Sequence, residues 1–270
     1  MTQRSRFSPA GLLLAAAIFG LLAGTAPAAA QVVTGNPGGN CIPAAADYDG
    51  DGVTDYAQLC DGAYHFYNAD GSYKKGIWVG NNPGNVPVPA DYNGDGADEP
   101  AVFNGGAWFF YNYQTGALTS AIWTGPGGSV PAPLDDNGDG KADMSTYLGG
   151  AWHFYNADGS YNKGIWVGSS PANVPAPGDY TGDGIDDVMV FSGGAWFRYD
   201  FATGANVASV WTGSGAGKPA PLDYDGDGTV DFTIYENGAW HFFNDDGTYR
   251  GGIATGGGPN DLPISRRPLP

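Results

Sequence analysis

Residues 62–80 read GAYHFYNADGSYKKGIWVG, and the stretch returns at 150–168 as GAWHFYNADGSYNKGIWVG and at 238–256 as GAWHFFNDDGTYRGGIATG. Between these copies stand GAWFFYNYQTGALTSAIWTG, from Gly106, and GAWFRYDFATGANVASVWTG, from Gly194. Five related units follow one another, starting near residues 41, 85, 129, 173 and 217, each 44 residues after the last. Two unit types alternate, so an 88-residue pair forms a longer period. A fixed period of this length, rich in glycine and aromatics, marks a stacked or circular array whose units bury their apolar faces on one another. With an odd number of units, closing a ring sets unit five beside unit one, both of the first type.

Glycine and proline together make 66 of the 270 residues, which leaves no uninterrupted window for a sizeable helix after the N-terminal apolar run. Short aromatic runs such as AWFFYN lie between turn residues, as strands do, and the Asp-Gly of NADGSY is a hairpin signal. Each unit offers four short strands: a proline-containing segment, an apolar run, the Gly-Ala-aromatic segment, and a segment that ends in Trp-x-Gly in the first four units. Proline suits an edge strand, where its missing N–H costs no ladder bond. Trp108 and Phe110 point to one side of their strand, Phe109 and Tyr111 to the other. A sheet apolar on both faces must be sandwiched between neighbours, as propeller blades are. The expected fold is all-β, a five-bladed β-propeller over residues 41–264, with an open β-repeat array as the alternative. Residues 259–264 align with the proline segment of a further unit and are a candidate closing strand; 265–270 form a tail.

Ahead of the aromatic stretch, each unit carries an acidic cluster: DYDGDGVTD at Asp47, DYNGDGADE at Asp91, DDNGDGKAD at Asp135, DYTGDGIDD at Asp179 and DYDGDGTVD at Asp223. Oxygen ligands fall at the first, third, fifth and ninth places, and glycine at the sixth lets the loop turn sharply. Hard oxygen ligands without His or Cys select a hard cation, and five or six of them in one loop suit Ca²⁺ better than Mg²⁺. The candidate ligands are Asp47, Asp49, Asp51 and Asp55; Asp91, Asn93, Asp95 and Glu99; Asp135, Asn137, Asp139 and Asp143; Asp179, Thr181, Asp183 and Asp187; Asp223, Asp225, Asp227 and Asp231. Thr181 offers at best a hydroxyl, so of up to five calcium sites the Asp179 loop is expected to be the weakest. An EF-hand would need a carboxylate at the twelfth place and a following helix. Gln58, Val102, Thr146, Val190 and Ile234 stand there instead, each followed by strand-like alternation.

Segments such as VPVPADYNGDGADEPAVF and VPAPGDYTGDGIDDVMVF resemble the FG-GAP/VCBS-type calcium-binding repeats of secreted bacterial proteins, related to those of integrin α-subunit propellers. The resemblance runs over about residues 41–258. It implies a β-propeller holding Ca²⁺ in a hairpin loop between two strands of a blade, through the positions named above. The functions it implies range from adhesion to modules appended to polysaccharide-degrading enzymes, so the family does not decide the role.

The chain begins with MTQRSRF, an apolar run GLLLAAAIFGLLAG and the small residues TAPAAA, the order of a secretory signal peptide over residues 1–30, with 31–40 as a flexible segment after it. The run falls short of the ~20 residues that span a bilayer, so no membrane insertion is expected after cleavage. Cys41 and Cys60 flank the first acidic cluster, and in an oxidising compartment a disulfide between them is the default. The expected location is secreted, periplasmic or cell-surface. With 28 acids against 11 bases the net charge is −17, which argues against nucleic acid and unaided binding to anionic lipid.

His65, His153 and His241 are the three histidines, at equivalent places where other units have Phe109 and Phe197, so they read as packing. No nucleophile elbow, HExxH or phosphate loop occurs. The chain is expected not to be an enzyme, with a polysaccharide-active enzyme as a remote alternative. Trp108, Trp152, Trp196 and Trp240 read as packing between blades. Trp78, Trp123, Trp166 and Trp211, with Ala254 in unit five, are candidate ligand-binding residues, since aromatic rings stack on sugar faces. The expected role is a recognition or adhesion module for a glycan or an envelope or extracellular protein. A purely structural calcium-stabilised scaffold is the alternative.

Overall fold

The computed structural model describes residues 41–255 apart from Pro126 and Ser214. The expected signal peptide, the 31–40 segment, the closing strand and the tail lie outside the described residues. Those described form five antiparallel sheets of four strands, each in the order one-two-three-four, and no helix. Blade one comprises Ile42–Pro43, Tyr56–Cys60, Ala63–Tyr67 and Tyr73–Trp78. Blade two runs from Val86–Pro87 to Leu118–Trp123, blade three from Val130–Pro131 to Tyr161–Trp166, blade four from Asn173–Pro175 to Asn206–Trp211, and blade five from Lys218–Pro219 to Tyr249–Ala254. The chain is a five-bladed β-propeller. Strand one, with its proline, is an edge in every sheet, and the first strands of blades one and two touch.

Strand three explains why the blades stack. Its alternate residues aim at opposite neighbours, because side chains alternate across a strand. Tyr64, Phe66 and Ile77 of blade one pack against Val102, Tyr111 and Tyr113 of blade two. Phe103, Trp108 and Phe110 of blade two meet Met144 and Tyr155 of blade three. Trp152, Phe154 and Ile165 meet Val188 and Val190, and Phe191 and Trp196 meet Phe232, Ile234 and Phe243. Trp108, Trp152, Trp196 and Trp240 are all 0% exposed, and the first three pack against residues of the next blade. Truncating one to alanine would cost about 3–5 kcal/mol.

Tight turns set the ends of the blades. Gly106, at φ 99°, closes the hairpin between strands two and three, and any side chain there would strike the carbonyl of Gly125. Because neighbouring strands run antiparallel, the one-two and three-four connections share one end of each blade. The two-three turns and the links to the next blade share the other. The acidic loops are one-two connections, whereas Trp78, Trp123, Trp166 and Trp211 each end a fourth strand. The two candidate sites therefore lie at opposite ends of the blades. The Cys41–Cys60 disulfide ties the one-two hairpin of blade one, a bond that belongs to an oxidising, extracellular-type environment.

Candidate functional site

Each acidic loop is wrapped around its first aspartate. In blade one, Gly50 N–H donates to Asp47 Oδ1 and Gly52 N–H to Asp47 Oδ2, both at 2.8 Å. The same pair of glycine donors reaches Asp91, Asp135, Asp179 and Asp223. Gly50 and Gly52 adopt φ of 72° and 83°, a conformation glycine enters without steric cost. The fifth-place residues Asp51, Asp95, Asp139, Asp183 and Asp227 each accept from the backbone N–H two residues on. The ninth-place carboxylates of Asp55, Glu99, Asp143, Asp187 and Asp231 accept from the N–H of the second loop residue. The loops are thus held by their own backbone, which folds over the first- and ninth-place carboxylates.

Three carboxylates converge within 4.8 Å in blades one (Asp47, Asp49, Asp55), two (Asp91, Asp95, Glu99) and five (Asp223, Asp225, Asp231). Among the described residues, blades three and four do not gather three in this way. Their third places hold Asn137, whose amide donates to Asp143 at 2.9 Å, and Thr181, whose hydroxyl lies 3.4 Å from Asp179. Asn93 likewise donates to Asp95 and Glu99, and such an amide presents its oxygen when turned over. In blades one and five the fifth-place Asp51 and Asp227 stay outside the convergent set.

Basic side chains meet three of the loops. Lys74 Nζ lies 3.2 Å from Asp49 and 3.5 Å from Asp55; Arg250 lies 2.8 Å from Asp225 and 3.5 Å from Asp231; Arg198 lies 3.3 Å from Asp187. Among the described residues, no such ion pair reaches the loops of blades two and three. Burial, with the charges of Asp91, Asp95 and Asp98 added, pushes Glu99 up to about 7. Burial and then the neighbouring Asp136 push Asp143 to about 7. A cleft of about 600 Å³ opens beside these two loops, with Asp95, Glu99, Asp143, Tyr92, Tyr113 and Met144 among its walls.

The tryptophan series that ends strand four is open to solvent: Trp78 is 66% exposed, Trp123 63%, Trp166 62% and Trp211 63%. Each stands across from an alanine of strand three, Ala63, Ala107, Ala151 or Ala195, so its ring meets no large side chain there. The histidines sit on strand three, each 6.0 Å from a tyrosine ring: His65 by Tyr73, His153 by Tyr161 and His241 by Tyr249. They are spread over three blades and each is taken up by its own aromatic contact.

Two interblade devices escaped the sequence reading. Asp98 Oδ2 accepts from Asp47 N–H and Asp186 Oδ2 from Asp135 N–H, both at 2.8 Å, which caps the buried first aspartates of blades one and three from the next blade. Lys75 and Lys163 lie over the rings of Tyr113 and Phe201 in the following blade. The legible signal was that these Asp and Lys residues recur only at the 88-residue period.

No family model and no curated protein matches the chain. Its fold is similar to that of a lectin of Agrocybe aegerita that specifically recognises non-reducing terminal N-acetylglucosamine. The TM-score is 0.54 at 16% identity, over 80% of this chain and 66% of the lectin's. It is similar also to BBS1N in complex with ARL6DN, with a TM-score of 0.50 at 13% identity over 82% of this chain and 73% of that one. At such identities these likenesses bear on architecture alone, and the architecture they share with this chain is the β-propeller.

Proposed function

We propose that this chain is a secreted calcium-binding protein of the FG-GAP/VCBS type that acts as a non-catalytic recognition module, with a glycan as ligand. The observation that carries the reading is the contrast between two tryptophan series on one scaffold. One is fully buried; the other is more than three-fifths exposed at equivalent places in four blades. Keeping four large apolar rings in water is hard to explain by folding, whereas a ring open to solvent is what a sugar face stacks on. Repetition supplies avidity to shallow sites. The lectin that shares the fold lends the architecture precedent, not the site.

Calcium belongs to the opposite end of the blades. The five loops offer carboxylates and backbone oxygens, the donor set of a hard divalent cation. Blades one, two and five bring three carboxylates together, and the blade-two loop does so with no described Lys or Arg paired to it. An ion bound there offsets the mutual repulsion of carboxylates on the folded chain, so it stabilises the ring instead of touching the sugar.

A glycan array probed with calcium and with chelator tests the module. Binding that Trp78→Ala and Trp166→Ala weaken supports it; binding to no glycan overturns it and leaves a calcium-stabilised scaffold. A melting curve in excess chelator tests the metal separately, since a ligand of the native state alone must raise its midpoint. An unchanged midpoint refutes calcium without touching the tryptophan reading.

A further inference from the structure

Four of the joints between blades are made alike, and the fifth is not. Asp98 N–H donates to Asp47 O, Ala142 to Asp91, Asp186 to Asp135 and Val230 to Asp179, at 2.7–2.8 Å. The corresponding pair at the joint of blades five and one is Thr54 and Asp223, and no such bond joins them among the described residues. The hairpin tips agree. A side-chain carbon on Gly159 would press on Ile122 and the Trp123 carbonyl of the preceding blade, and one on Gly247 on Val210 and the Trp211 carbonyl. One on Gly71, the equivalent tip of blade one, would meet nothing within 4 Å. Ile77 and Ile165 are buried at their joints, whereas Ile253 is 46% exposed.

The inner part of the same face is nevertheless closed. Trp240, Leu222 and Phe242 are at most 3% exposed. Among the described residues their apolar cluster contains members of blade five only, while Trp108, Trp152 and Trp196 each share a cluster with the next blade. The chain continues from Thr255 for 15 residues, a reach of about 50 Å when extended. Leu262-Pro263-Ile264 stands 44 residues after Lys218-Pro219-Ala220, in register with every first strand. Ile264 takes the place of Val88, Ala132, Ala176 and Ala220, all buried. All five sheets already hold four strands, so a sixth first strand has no vacancy inside a blade. Arg267 takes the register place of the first aspartate of an acidic loop, 44 residues after Asp223.

We propose that residues 256–270 dock on the Trp240 face of blade five, with Leu262 and Ile264 sealing the inner part of the fifth joint as a lone first strand. The outer part stays open, which accounts for Ile253 and Gly71. Hydrogen exchange on the full chain tests this. The amides of Leu262 and Ile264 should exchange at least about a hundredfold more slowly than in a free peptide of the same sequence. Ile264→Asp should speed exchange at Trp240–Phe243 about tenfold or more, and Ile264→Leu should not. Free-peptide rates for 256–270 beside a protected Trp240 would overturn the proposal. So would protection that grows with protein concentration, since a second copy would then be the cover. The wild-type measurement decides even where Ile264→Asp fails to fold.

Discussion

The ammonium of Lys75 in blade one lies 3.1 Å from the centre of the Tyr113 ring in blade two and donates to the Tyr113 carbonyl. Lys163 does the same to Phe201 across the joint of blades three and four, at 2.9 Å. Blade five, with no second-type blade after it, carries Gly251 at this place. Lys75→Met keeps the aliphatic stem and removes the cation. Urea denaturation should show a loss of about 1–2 kcal/mol, as for a partly desolvated cation–π pair. An unchanged midpoint would mean that the clasp carries no stability.

The indoles of the buried series differ in one bond. Trp108, Trp152 and Trp196 donate from Nε1 to Thr124, Ser145 and Thr212, at 2.8–3.1 Å, whereas Trp240 Nε1 is buried with no acceptor among the described residues. Trp196→Phe should therefore destabilise by about 1 kcal/mol more than Trp240→Phe. Equal losses would show that the indole bond contributes nothing net.

Gly71 and Gly247 share a φ of 81° at the tips of equivalent hairpins, so alanine strains both backbones alike. Only at Gly247 would the new methyl meet the preceding blade. Gly247→Ala should lower the thermal midpoint further than Gly71→Ala, by about 1–3 kcal/mol in free energy. Equal losses would mean that the fifth joint is packed like the rest.

Lys74 competes with any cation for Asp49 and Asp55. Calorimetric titration of Lys74→Met should show the blade-one loop binding calcium several-fold more tightly, about 1 kcal/mol for a half-exposed ion pair. A weaker or unchanged affinity would rule the competition out.

Reducing Cys41–Cys60, which are separated by 19 positions, frees a loop whose closure is worth about 3 kcal/mol. The thermal midpoint should fall under mild reductant. No shift would mean that blade one is held by packing alone.

Strands, turns and loops were legible because each rests on a local signal. Period-two aromatics, Asp-Gly tips and aspartates at alternate places all act within about ten residues. The partners of the loops were not. Lys74 and Asp49 are 25 residues apart, on a strand and a loop that meet only once the blade is folded, and Lys75 finds Tyr113 only across a joint. The blade-two loop stands out for the same reason: Asp91, Asp95 and Glu99 could be read, but that no described Lys or Arg pairs with them could not.

The sequence by itself determined five β-units, their order of strands and the places of their acidic loops, because repetition at 44 residues multiplies each weak local signal by five. It left Trp78 and Trp108 alike, both tryptophans in short strands between glycines. Only the tertiary structure separated them. Trp108 lies on an inner strand with a blade stacked against its face, while Trp78 ends the outer edge strand, where nothing large stands opposite it. Burial depends on what packs against a side chain, and that is decided when the ring assembles.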